Sequence, residues 1–143
     1  MKIRILFLLL LIFIASCDQT IRNCDNMAAR IIDGDTIVLS DGNKVRLIGI
    51  NAPEKGKPYS KIAASELGNM VLNKCLVLEK DASDKDKYGR LLRYVYADGK
   101  FVNEMMIENG FAKAFIYGND TKYSEKFKLD EESARKNRLG IWE

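Results

Sequence analysis

The chain has 143 residues, 47% of them apolar, enough for one modest core and too few for two independent domains. Lys and Arg outnumber Asp and Glu by 23 to 20, and a formal charge of +3 excludes a polycation that holds nucleic acid by bulk charge. Histidine is absent and the three cysteines have no CxxC spacing, which excludes a zinc centre; a metal here would be bound by oxygen, as Ca²⁺ and Mg²⁺ are.

The chain opens with a short positive segment, "MKIR", and an unbroken apolar run, "ILFLLLLIFIA". That run is shorter than the about 20 residues of a membrane span and fits the central region of a secretory signal peptide. Ile14-Ala15-Ser16-Cys17 resembles a bacterial lipobox, in which the cysteine is lipidated and becomes N-terminal. The resemblance implies a leader over 1–16, a tether over 17–27 and the folded domain over 28–143, with the exported chain held at a membrane of the cell envelope through lipid on Cys17. One acyl chain binds a membrane marginally and two or more bind stably. The alternatives are a soluble secreted or periplasmic protein and an uncleaved N-terminal anchor. Cleavage before Cys17 removes Lys2 and Arg4, leaving 21 basic and 20 acidic residues and a net charge of +1. Cys24 and Cys75 then form an even pair in an exported chain, and a disulfide is expected rather than two isolated buried thiols. It would close a loop of about fifty residues and contribute roughly 3–4 kcal/mol.

From Ala28 the sequence alternates β-rich runs with turns. "TIVL-SDGN-KVRLIGI" predicts a hairpin around Asp41-Gly42, and Asp33-Gly34 marks a bulge or sharp bend in the preceding strand. "NAPEKGKP" is a loop, because Pro53 and Pro58 forbid a ladder. "YSKIAASELGNMVLNK" predicts a helix with Ile62, Leu67, Met70 and Val71 on or near one face. "CLVLEKD" and "LLRYVYADG" predict strands, with the charged turn "ASDKDKYGR" between them. "FVNEMMIENG" predicts a short helix stopped at Gly110, and "FAKAFIYGND" a partly extended segment. Thr121 is the expected cap of a last helix that stops at Gly140, with Tyr123, Phe127 and Ala134 at helical spacing and Trp142 packing back on the core. The expected class is α+β: about five strands with helices between and after them, closed as a small barrel to hide the sheet edges.

Polar residues crowd into one short stretch. Asp33 and Asp35 flank a glycine, and Asn51 and Glu54 flank a proline turn at a strand end. Short oxygen-bearing side chains with a backbone carbonyl suit a hard divalent cation. Arg46, inside "VRLIGI", is costly there unless it is paired or faces a cleft; Arg90 sits at a loop-to-strand junction. One oxygen-bound cation, one carboxylate and two guanidiniums suit attack on a phosphodiester. Each Arg offers a bidentate fork to phosphate oxygens, and the carboxylate accepts a proton from water. Taken singly, an Asp-Gly is a turn and a surface Glu or Arg is solvated; the grouping carries the argument.

"DGDT" at Asp33–Thr36, "VRLIGINAPE" at Val45–Glu54, "DKYGRLLRYVYADGKFVNEMMIENGFAK" at Asp86–Lys113 and "SARKNRLGIW" at Ser133–Trp142 resemble, in order, segments of the staphylococcal nuclease family. The resemblance runs from about Ala28 to Trp142. It implies a five-stranded OB-fold β-barrel with three helices, and Ca²⁺-dependent hydrolysis of DNA and RNA that cleaves the 5′ P–O bond and leaves 3′-phosphate ends. Carried over position by position, Asp35, Asn51 and the Ala52 carbonyl would hold the metal. Glu54 would be the general base, while Arg46 and Arg90 would bind phosphate and stabilise the transition state. Lys87 and Tyr88 match positions near a terminal nucleotide phosphate, Tyr117 a stacking tyrosine, and Phe115, beside a length change, a second one. The departure is Asn51, where the family's usual residue is Asp; one negative charge is lost, and weaker Ca²⁺ binding is expected. The implied protein is an exported nuclease, a monomer whose partners are its nucleic-acid substrate and, through lipid, a membrane. The alternatives are an inactive nucleic-acid-binding module of the same fold and an envelope interaction domain without nucleic acid.

Overall fold

The computed structural model describes residues 24–143, so the leader and Cys17 lie outside the described residues. Strand β1 (Ala28–Asp33) turns at Gly34-Asp35 into β2 (Thr36–Leu39), and the Asp41-Gly42 turn leads to β3 (Lys44–Leu47). After a break at Ile48-Gly49 come β4 (Ile50–Asn51) and helix α1 (Ser60–Val71). Strands β5 (Leu76–Glu79), β6 (Leu91–Ala97) and β7 (Lys100–Phe101) follow, then α2 (Val102–Glu108), β8 (Lys113–Ala114), α3 (Ser124–Lys136) and a 3-10 turn at Gly140–Trp142.

The main sheet runs β1-β2-β3-β6-β5, with β7 also on β6; all pairs are antiparallel except β3–β6. Strands β4 and β8 form a separate two-stranded ladder. The α+β class with three helices and a mixed sheet stands, but the described residues form eight strands, three of them of two residues, where five were expected. The β1 and β5 edges meet through one bridge, Met27–Cys75, and the Leu76 N–H to Asn26 carbonyl bond, rather than through a continuous ladder. A disulfide between Cys24 and Cys75, with Cα atoms 5.5 Å apart, seams that edge, so contacts with the domain begin within the expected tether. Neither cysteine is buried.

The core lies between the sheet and the helices: Ile37, Val45, Leu47 and Val95 of the strands and Met106 and Ile107 of α2 are almost wholly out of water. Each such side chain contributes about 1.5–3 kcal/mol. Helix α1 differs from its expected face: Ala63, Leu67, Gly68 and Val71 are buried, Met70 is half-buried and Ile62 is exposed. The reason is close approach. A Cβ on Gly34 would lie 2.6 Å from the Ala52 Cβ and 2.7 Å from the Ala63 Cβ, so only small residues fit where α1 meets the β1–β2 bend.

The last helix also differs. It begins at Ser124 without a side-chain cap and ends at Lys136, short of Gly140. The Thr121 carbonyl accepts the Ser124 N–H, closing a turn before the helix, and Arg138, at φ 52°, breaks from it after the end. Phe127 enters an aromatic cluster in which Tyr94 and Phe101 meet Tyr123 edge-on at 4.7 and 4.8 Å. Buried Asn103 accepts the Val95 N–H and donates to the Ile48 carbonyl, both at 2.8 Å, tying α2 to β6 and to the break before β4.

Candidate active site

The Asp33-Gly34-Asp35 bend is an Asx turn: the Asp33 Oδ1 accepts the Asp35 N–H at 3.1 Å. It turns Asp35 inward, where the residue is 6% exposed. The Asp35 carboxylate accepts the Thr36 hydroxyl at 3.0 Å and the Ala52 N–H at 2.9 Å. The second bond crosses from the bend to the end of β4 and sets the start of the loop that carries Glu54.

Arg46 stands opposite Thr36 in the β2–β3 register. Its Nη2 lies 3.2 Å from the Asp35 Oδ2 and 3.3 Å from the Asn51 Oδ1, and its Nη1 donates to the Leu47 carbonyl at 2.6 Å. The two side-chain oxygens assigned to a cation by sequence therefore converge on one positively charged nitrogen. Burial pushes the Asp35 carboxyl above its usual range, with Arg46 and the Ala52 N–H opposing and Asp33 reinforcing the shift. Burial likewise pushes the Arg46 guanidinium below its usual range, against the pull of Asp35. A cation bound by these oxygens would compete with the Arg46 guanidinium for them.

Arg90 is held from the other side. The Asp86 Oδ1 accepts the N–H groups of Tyr88 and Arg90 at 2.9 and 3.0 Å, and its Oδ2 accepts the Arg90 Nε at 2.6 Å. Burial pushes the Asp86 carboxyl up, but these donors outweigh it and hold the group below its usual range. The Arg90 Nη1 lies 3.5 Å from the Thr36 hydroxyl, which joins Arg90 to Asp35. A guanidinium has five N–H donors. Both Nη2 donors and one Nη1 donor of Arg90, and the Nε and one Nη1 donor of Arg46, remain unspent among the described residues.

Glu54 is exposed in the loop after β4, and its carboxylate makes no hydrogen bond or ion pair among the described residues. Lys87 and Tyr88 are exposed, with the Arg90 guanidinium 5.5 Å from the Tyr88 ring centre. Phe115 and Tyr117 stack nearly parallel, 6.4 Å apart at 11°. Arg46, Lys87, Tyr88, Arg90, Phe115 and Tyr117 line one cleft of about 400 Å³.

Residues 44–143 match the model of the staphylococcal nuclease homologue family. The chain belongs to the staphylococcal nuclease family. Relatives of this nuclease family include endonuclease YncB of Bacillus subtilis, 44% identical over 124 residues that cover 79% of this chain and 59% of the relative. A prophage-derived endonuclease of the same organism, YokF, is also 44% identical over 124 residues, 79% of this chain and 42% of the relative. The thermonuclease of Staphylococcus intermedius is 36% identical over 132 residues, 86% of this chain and 79% of the relative. The chain thus spans about half the length of the two Bacillus relatives.

Within this nuclease-family domain, sequence reasoning missed Thr36 and Asp86. Thr36 looked like an ordinary strand residue, yet it is 1% exposed and links Asp35 to Arg90. Asp86 had a readable signal, since Asp at the first position of a turn ending in glycine caps its own backbone. Asp33, left open between site and bend, makes the bend.

Proposed function

We propose that this chain is an exported, lipid-tethered, Ca²⁺-dependent nuclease that hydrolyses phosphodiester bonds of DNA and RNA. The supporting observation is the convergence of Asp35 and Asn51 on one cationic nitrogen beside two arginines with unspent donors. Among the described residues the donors are oxygens, and Cys24 and Cys75 are consumed in a disulfide, so the set fits a hard cation rather than a soft one. Asp35, Asn51 and the Ala52 carbonyl would hold Ca²⁺, which when bound neutralises phosphate charge and polarises the phosphorus centre.

The chain's own residues do the rest. Arg46 and Arg90 grip non-bridging phosphate oxygens with their remaining N–H groups, in a geometry fixed beforehand by Asp35 and Asp86. The Glu54 carboxylate, without a partner among the described residues, takes a proton from the attacking water. Tyr88 and Tyr117 offer faces for base stacking, and Lys87 a charge for a neighbouring phosphate. The acid requires no buried partner here; it needs reach, and a loop pinned at Ala52 supplies it.

The leader over 1–16, the tether from Cys17 and the nuclease domain over 28–143, curled as an OB-type barrel, belong to the same reading, as does a monomer at the cell envelope. Mass measurement of the mature N-terminus checks the lipid on Cys17. The deciding experiment incubates plasmid and single-stranded DNA with Ca²⁺, with and without chelator, for the wild type and Glu54→Gln. Cleavage that chelation abolishes, and that Glu54→Gln lowers by about 10²–10⁴-fold, supports the enzyme. Asn51, a neutral ligand, favours the second reading, a binding module without catalysis. Tight DNA retention with no products in any condition would establish it and overturn the nuclease.

A further inference from the structure

A second cleft, of about 320 Å³, is lined from Asn51 onward, whereas the first is lined by Gly49 and Ile50. It is lined by Asn51, Glu54, Lys57, Pro58, Tyr59 and Lys113, with Ile141 at its wall. Its size is at the small end of the range for ligand pockets. Asn51, Ala52 and Glu54 line it, so it is continuous with the candidate active site, whereas Arg46, Arg90, Tyr88 and Tyr117 line the first cleft. The candidate reacting groups are therefore divided between the linings of two clefts.

The second cleft carries two lysines, Lys57 and Lys113, in its lining. Glu54 is the one acid in its lining among the described residues. Five lysines form ion pairs, at positions 74, 80, 122, 126 and 128; Lys57 and Lys113 form none among the described residues. Lys113 is the β8 partner of Asn51. Directly opposed side chains of an antiparallel pair start about 5 Å apart, so the Lys113 side chain is rooted beside Asn51 while its ammonium lies against the Trp142 ring. Tyr59, at φ 64°, and Pro58 supply apolar surface, and the Tyr59 hydroxyl is tied to the Glu143 carboxylate.

The wall is built, not loose. The Ile141 N–H donates to the Gly110 carbonyl at 2.9 Å, and a Cβ on Gly110 would fall 2.1 Å from the Leu139 oxygen. The C-terminal turn is thus seated backbone to backbone against the α2–β8 turn. Trp142 holds it there, with the Arg135 guanidinium 4.0 Å and the Lys113 ammonium 5.2 Å from its ring centre.

We infer that this cleft binds the single-stranded nucleic acid on the far side of the scissile linkage from the Tyr88–Tyr117 cleft. Lys57 and Lys113 each meet a backbone phosphate, and Tyr59 with Pro58 supports a base. The inference rests on the nuclease reading. An attack within a strand leaves nucleotides on both sides of the cut, and the first cleft accommodates one side.

The test uses the mature protein carrying Glu54→Gln to stop cleavage, in Ca²⁺, with binding of a labelled twelve-residue thymidine oligonucleotide and of a nucleoside 5′-monophosphate measured against salt. Adding Lys57→Gln and Lys113→Gln should lower the oligonucleotide salt slope by roughly 1.4, about 0.7 for each lost phosphate contact, and weaken binding roughly 20-fold at 0.1 M salt. Mononucleotide affinity should not change, and Lys57→Arg with Lys113→Arg should restore the slope. An unchanged oligonucleotide slope, or equal weakening of both ligands, would overturn the second cleft. A parallel Arg90→Gln variant separates the two ideas: if it weakens the mononucleotide, the nuclease reading stands without the cleft, and if it weakens neither ligand, that reading falls as well.

Discussion

On the face between α2 and α3, Glu104, Glu108 and Asp130 bring carboxylate oxygens within 4.8 Å of one another. Lys126 sits among them, 2.6 Å from Glu104 and 3.7 Å from Asp130. At the β1–β2 bend a single carboxylate, Asp35, meets Arg46 and, through Thr36, Arg90. By count of acids the helical cluster is the better cation site. By what each leaves available it is not. Its ammonium is shared among its own carboxylates, and burial, then like charge, pushes Glu108 up, while burial also raises Asp130. The bend instead joins oxygens of two kinds to guanidiniums whose spare donors open into a cleft. Crowded charge by itself marks electrostatic cost; unspent hydrogen-bonding capacity facing a cleft marks chemistry.

Substitutions can break this contrast. After Glu54→Gln, the largest effect is expected at Arg90. Arg90→Gln removes the fork aimed at phosphate and should lower the cleavage rate by about 10²–10³-fold, while stability falls by no more than about 1 kcal/mol. Steady-state kinetics and denaturant melts on the same sample read both numbers; parallel losses would make Arg90 structural.

Next comes Gly34→Ala, which forces a methyl group against Ala52 and Ala63. It should cost about 1–3 kcal/mol in a denaturant melt and weaken Ca²⁺ binding, because the Asp35–Ala52 bond is displaced with it. A melt indistinguishable from the wild type would show that the bend has room the structure denies it.

Asn51→Asp restores a charge and should move the Ca²⁺ titration midpoint down by roughly tenfold, about 1.4 kcal/mol. Arg46→Gln should also tighten Ca²⁺ binding without substrate, because it removes the cation held between Asp35 and Asn51, yet it should lower cleavage. That split between affinity and rate would not follow from simple damage to the site.

The smallest effect belongs to the helical cluster. Because its carboxyl is raised, Glu108 holds its proton more tightly in the folded chain than in the unfolded one. Its stabilising contribution is present below the usual carboxylate range and is lost as pH rises through the folded value. Glu108→Gln should therefore stabilise the metal-free protein at pH 7, by at most about 0.5 kcal/mol because water screens an exposed group. The gain should vanish in acid melts, where both side chains are neutral, and cleavage should be unchanged throughout.

Local rules carried far in the sequence. The Asp-Gly turn positioned the β2–β3 hairpin, the two prolines positioned the Glu54 loop, and Phe127 and Ala134 marked the buried stripe of α3. What failed depended on distant surfaces. Ile62 lost its expected burial because small residues define where α1 meets the bend, a contact spanning Gly34, Ala52 and Ala63. The parallel β3–β6 pairing, and with it the gap bridged by Thr36, joins strands separated by a helix and two other strands, and no periodicity announces that. Thr121 has the chemistry of a cap, yet its backbone carbonyl closes a turn instead. At the site, Asp35, Arg46 and Asn51 were legible as types at a spacing. That Arg46 bridges the other two was not, since the β2–β3 register and the β4 break set it.

The central claim is that the bend, and not the helical cluster, holds the cation. Calorimetric titration of Ca²⁺ into nucleic-acid-free wild type, Asp35→Asn and Glu108→Gln tests it directly. The account predicts one site in the wild type and in Glu108→Gln, and its loss in Asp35→Asn. Binding that survives Asp35→Asn and disappears with Glu108→Gln would contradict it.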